Sequence, residues 1–151
     1  MSLVDKFKIK HFQGIYMRDG LPLSRRGCSI MNLDLESGNG THWTCWYWDL
    51  RSPGRKAAWK DSTTCYYFDS FGLAPPTEFY KYASKYDVGP GGPRAPLVLY
   101  HNTYKIQRIN DVICGHLCVL VLYMLNASAM FHEILLFLYK NKDVSLYFWS
   151  K

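Results

Sequence analysis

The sequence predicts an α+β fold, with strands in the middle of the chain and helices around them. Three observations carry this expectation. Segments rich in threonine and aromatic or aliphatic residues lie between residues 27 and 68 and are separated by glycine-containing turns. An almost wholly apolar stretch at residues 113–126 has the length of a buried helix. A Pro75-Pro76 pair sits where a helix would start, with its fixed backbone suited to a first turn.

Taken in order, residues 1–13 mix basic and apolar side chains and are expected to form a short helix or an arm. Residues 14–22 are broken by glycine and proline, which predicts a loop. Residues 27–33 (GCSIMNL) read as a buried strand, and residues 36–40 (ESGNG) as a turn. Residues 41–50 (THWTCWYWDL) form a second strand, residues 51–60 a basic connection, and residues 62–68 (STTCYYF) a third strand. A helix is expected over residues 76–86, a flexible turn over 89–93 and a short strand over 97–100. Asn110-Asp111 precedes the central apolar helix and offers capping side chains. A final helix is expected over residues 127–139, followed by a strand or aromatic tail at 143–149.

The 151 residues amount to one domain. A chain of this size can bury enough surface to fold without a disulfide or metal. Its hydrophobic content of 48% and charged content of 20% are ordinary for a globular protein, whereas 17% aromatic residues is high. Twelve tyrosines and five tryptophans point to an aromatic core and to a groove that could hold a peptide. The net charge of +6 favours acidic partners, nucleic acid first, although no long basic run appears. Five cysteines and a charged N-terminal segment without secretory character predict free thiols in a reducing intracellular setting. The apolar runs at residues 117–125 and 134–139 are too short to span a bilayer, so no membrane role is expected.

Four residues make a constellation. Cys114 opens the apolar helix, where unpaired N–H groups and the positive dipole end would favour a thiolate. Gly115 beside it leaves room for a substrate backbone. His42 follows Gly40-Thr41 at a strand start and can serve as a base. Asp69 ends a strand, where its carboxylate could hold the second ring N–H of a histidine. Gln107 carries an amide that could donate to an oxyanion together with the Cys114 backbone N–H. Each has a plainer alternative: a buried cysteine, a packing histidine, a turn aspartate, a solvated glutamine. Together, the order His, Asp, Gln, Cys is that of a cysteine protease. Zinc fits poorly, because Cys114, His116 and Cys118 lie in one apolar helix and Cys28, Cys45 and Cys65 lack paired spacing.

On these residues the sequence resembles the adenovirus maturation protease family (adenain) and the wider clan that contains the SUMO-specific proteases. Gly27-Cys28-Ser29-Ile30-Met31-Asn32 followed by Gly40-Thr41-His42-Trp43 is similar to that family's strand-turn-His-Trp segment. Tyr67-Phe68-Asp69-Ser70-Phe71-Gly72 resembles its strand ending in an acid and then Phe-Gly. Gln107, six intervening residues and Cys114-Gly115 match its Gln-to-Cys-Gly spacing, and Gly14-Ile15-Tyr16 its early Gly-aromatic segment. The resemblance covers residues 14–126. It implies a papain-like core: a central mixed sheet flanked by helices, with the nucleophile at the N-terminus of a buried helix, forming a single protease domain over residues 1–151.

The resemblance also implies Cys114, His42 and Asp69 as the catalytic triad, Gln107 in the oxyanion hole, and Trp43 and Gly115 at the substrate cleft. It implies viral capsid or core precursors as substrates, a monomer in the host nucleus and virion, and no required cofactor, with DNA or a viral peptide as activator. Three departures stand out. The acid is aspartate where adenain has glutamate. The 27 residues from His42 to Asp69 are a longer interval, with residues 51–60 as the insertion. Pro96 stands where adenain links its activating peptide through cysteine, and the chain ends sooner. Rivals with the same residues are an isopeptidase for ubiquitin-like modifiers and an acyltransferase using acetyl-CoA. A non-enzymatic basic DNA- or capsid-associated protein is the remaining alternative.

Overall fold

The computed structural model describes residues 2–22, 27–38, 40–49, 63–84, 88–89, 92–93, 97–106 and 113–141. The helices are α1 (Leu3–Lys6), α2 (Thr77–Ser84), α3 (Cys114–Asn126) and α4 (Phe131–Lys140). The strands are β1 (Phe12–Met17), β2 (Cys28–Asn32), β3 (Trp43–Asp49), β4 (Thr63–Asp69), β5 (Val88–Gly89), β6 (Gly92–Pro93) and β7 (Leu97–His101). Five strands form one sheet in the order β1-β2-β3-β4-β7. The central pairs β2–β3 and β3–β4 are antiparallel, and the outer pairs β1–β2 and β4–β7 are parallel. The architecture is the α+β arrangement expected from the sequence.

Period-two alternation sorts the aromatic strands onto two faces. On one face, Cys28, Ile30, Cys45 and Phe68 join Leu117, Leu120, Val121 and Ile134 in a core under α3 and α4. On the other, Met31, Trp46, Trp48, Cys65 and Tyr67 meet Phe79, Tyr82 and Ala83 of α2. Trp48 Nε1–H donates to the Tyr82 hydroxyl at 3.0 Å, which satisfies a buried indole. Helix α3 lies across β3 and β4 and also touches α1 and α4. Being covered on several sides explains why it is apolar nearly all round. Burial of each of its leucines contributes about 1.5–3 kcal/mol. None of the helices among the described residues is long and apolar enough to cross a membrane.

Some expectations need correction. Residues 12–17, part of which was expected as a loop, form β1, because parallel pairing with β2 satisfies their backbone. The pairing slips between Phe12 and Gly14, and Gly14 takes φ 144°, a conformation open to glycine. The turn expected at residues 89–93 carries the small antiparallel ribbon β5–β6. The N-cap of α3 is Ile113, whose own side chain makes no capping hydrogen bond. Asn110-Asp111, the basic connection at 51–60 and the segment at 143–149 lie outside the described residues.

Candidate active site

Strand β3 begins and β4 ends at the same end of the sheet, because the two run antiparallel with Thr44 opposite Asp69. The N-terminus of α3 packs against that end. These three termini bring His42, Asp69 and Cys114 together although 27 residues separate His42 from Asp69 and α3 lies far downstream. His42 is 8% exposed, Asp69 1% and Cys114 9%.

The His42 Nε2–H donates to Asp69 Oδ1 at 2.8 Å. A carboxylate only accepts, so this bond fixes the proton on Nε2. The ring's other nitrogen, Nδ1, is left free of the carboxylate, and the Cys114 sulfur lies close enough for it and His42 to shift each other's pKa. Burial of the Cys114 thiol raises its pKa, but the His42 hydrogen bond, the Trp43 backbone N–H, the His42 charge and the Gly115 backbone N–H outweigh it. The net result is a thiol held below its ordinary range. For His42, burial lowers the pKa, yet Asp69 and Cys114 lift it to about 9. Both shifts favour a thiolate–imidazolium pair.

Cys114 stands apart from the other thiols. Cys28 is pushed up to about 12 by burial and by Cys45. Cys118 is pushed up by complete burial and by its contact with Cys45. Cys28, Cys65 and Cys118 are 0% exposed and Cys45 1%, against 9% for Cys114. All five are free.

The surroundings hold the pair in place. The Phe71 ring stacks on the His42 ring, with centroids 4.5 Å apart and planes 25° from parallel. The Phe71 N–H donates to Asp69 Oδ1 at 2.8 Å, so that oxygen accepts from both sides. Asp69 Oδ2 is buried without a partner among the described residues. The carboxylate's charge is therefore met chiefly through Oδ1. The Trp43 main chain links β3 to α3: its N–H faces the Cys114 sulfur, and its carbonyl accepts from the Cys118 thiol at 3.5 Å. A side chain at Gly115 would begin 3.5 Å from Trp43 Cδ1, so the glycine keeps the space beside the indole open.

Asn102, buried to 2% exposure, was not singled out from the sequence. Its Oδ1 accepts from the Asp69 N–H at 3.0 Å, and its Nδ2 donates to the Asp69 carbonyl at 2.6 Å and to the Tyr104 carbonyl at 3.3 Å. The only sequence signal was an amide residue just past an apolar strand. Gln107 lies outside the described residues. Among the described residues, no group of three or more His, Cys, Asp or Glu could hold a metal. A cavity of about 730 Å³ opens at the opposite end of α3, lined among others by Lys10, His11, Tyr47, Asp49 and Asn126. None of His42, Asp69 and Cys114 lines it.

Against this geometry, two solved structures are similar. Both are crystal structures of the ASFV pS273R protease, one in selenomethionine form. The chain shares their fold. The TM-scores are 0.53 and 0.51 at 16% identity, covering 77% and 76% of this chain. The chain spans 43% and 40% of the length of those proteins. No protein-family model matches the sequence, and neither does any curated protein.

Proposed function

We propose that the chain is a cysteine endopeptidase of viral type that cleaves structural precursor proteins during virion maturation. The observation that carries this reading is the placement of His42 between Asp69 and a Cys114 thiol held below its ordinary range. The fold shared with a viral protease supports it.

In this mechanism the Cys114 thiolate attacks the scissile carbonyl carbon. The oxyanion is held by the backbone N–H of Cys114 and by the Gln107 side chain. His42 protonates the leaving amine as the C–N bond breaks. Water then attacks the thioester, giving a proton back to His42 and releasing the acid product. Asp69 keeps the imidazole oriented and stabilises its charged form. Trp43 and Gly115 border the cleft and leave room for small substrate residues beside the cut. DNA, drawn by the +6 charge, acts as an activator.

The test compares wild type and Cys114→Ala on viral-precursor peptides and on ubiquitin-like conjugates. Peptide cleavage abolished by Cys114→Ala supports the reading. Hydrolysis confined to the conjugates would make the chain an isopeptidase, and cleavage that survives the substitution would remove the nucleophile.

A further inference from the structure

We propose that Asn102 is a positioning residue for the Asp69 carboxylate, acting through the main chain of Asp69. The proposal rests on the triad reading above. The ladder between β4 and β7 ends at the pair Tyr67 and His101. Two residues further along β4, the N–H and C=O of Asp69 face the same way, and the side-chain amide of Asn102 meets both, at 3.0 and 2.6 Å. An amide side chain offers an acceptor and a donor side by side, as a neighbouring strand would. A carboxylate offers two acceptors and a hydroxyl a single atom, so neither reproduces the match. Asn102 thus extends the sheet by one residue at the place where the chain leaves β7.

This contact fixes the root of the Asp69 side chain. From there Oδ1 reaches the Phe71 N–H and His42 Nε2, each at 2.8 Å. Asn102 also begins the segment that crosses the Asp69 turn. Its Nδ2 holds the Tyr104 carbonyl, and the Ile106 N–H donates to the Ser70 carbonyl at 2.8 Å. Gln107 follows Ile106 directly in sequence. One buried side chain therefore couples the carboxylate to the stretch that leads to the oxyanion amide.

The experiment measures iodoacetamide alkylation of Cys114 against pH, by peptide mapping, in the full chain and in Asn102→Ala and Asn102→Ser. Folding is checked by circular dichroism, and kcat and KM are measured on a cleaved peptide. In Asn102→Ala the alkylation profile should move toward the ordinary thiol range. Turnover should fall about 10- to 100-fold with KM little changed, as expected for a displaced catalytic group. Asn102→Ser, which can still accept from the Asp69 N–H, should lose less. A folded variant, of either kind, with the wild-type profile and kcat overturns this proposal alone. A wild-type chain whose Cys114 reacts only in the ordinary thiol range overturns the triad reading, and this proposal with it.

Discussion

The Trp43 carbonyl accepts from the Cys118 thiol at 3.5 Å, one helical turn below Cys114. With the Trp43 N–H facing Cys114, the main chain of a single residue sets the height of α3 against β3. His42 is the preceding residue, so its ring and the Cys114 sulfur are held relative to each other by main-chain geometry. A small change in the seating of α3 would move both.

Alkylation of Cys114 should begin below the pH at which ordinary thiols react. Its pKa is lowered, so the thiolate persists as pH falls past the usual thiol value near 8.5. Turnover should show a second limb near pH 9, where His42 loses its proton and can no longer protonate the leaving amine. A pH series of probe labelling and of kcat/KM measures both limbs. A Cys114 profile centred on 8.5 would contradict the ion pair.

Asp69→Asn keeps the shape of the side chain and removes its charge. The His42 pKa should fall from about 9 toward the ordinary 6.5, because Asp69 is a leading cause of its elevation. Turnover should drop on the order of 10²–10⁴-fold, since the histidine loses its orienting partner. NMR titration of the His42 ring alongside kcat measures the effect. An unmoved His42 titration would show that the carboxylate does not set it.

Gly72→Ala should destabilise the fold. Gly72 has φ +73°, and an added Cβ would lie 2.7 Å from the Tyr104 carbonyl carbon and 2.8 Å from the Thr103 oxygen, both main-chain atoms. The left-handed conformation alone costs about 1–2 kcal/mol for a residue with a side chain. Chemical denaturation should show at least that loss, with activity falling further as the 102–106 segment is pushed away. Equal stability would mean the turn relaxes freely.

DNA should raise peptide cleavage at low salt, and the effect should shrink as salt increases, because counterion release weakens with ionic strength. The net charge of +6 is the basis. A flat response across a salt series would make that charge incidental to activity.

The strands that carry the site were legible because residues 41–50 and 62–68 are dense in threonine and aromatic side chains, whereas only the structure sorts Cys45 and Trp46 onto opposite faces. Cys114 was legible as a candidate because it opens the apolar helix α3, which the structure begins at that residue. The misread segment was β1. Its glycine suggested a loop, while its backbone bonds come from β2, which local sequence does not reveal.

By itself the sequence determined the chemical inventory: a thiol at a helix start, an imidazole at a strand start, a carboxylate at a strand end, and the threonine- and aromatic-rich segments that carry them. Tertiary structure alone decided that β3 and β4 pair with Thr44 opposite Asp69, that Nε2 of His42 faces the carboxylate, and that Asn102 grips the acid's main chain. The reason is that these contacts join residues from 25 to 33 positions apart in the chain. Strand register and helix seating select them, through the shared burial of two cores rather than through any local preference of the chain.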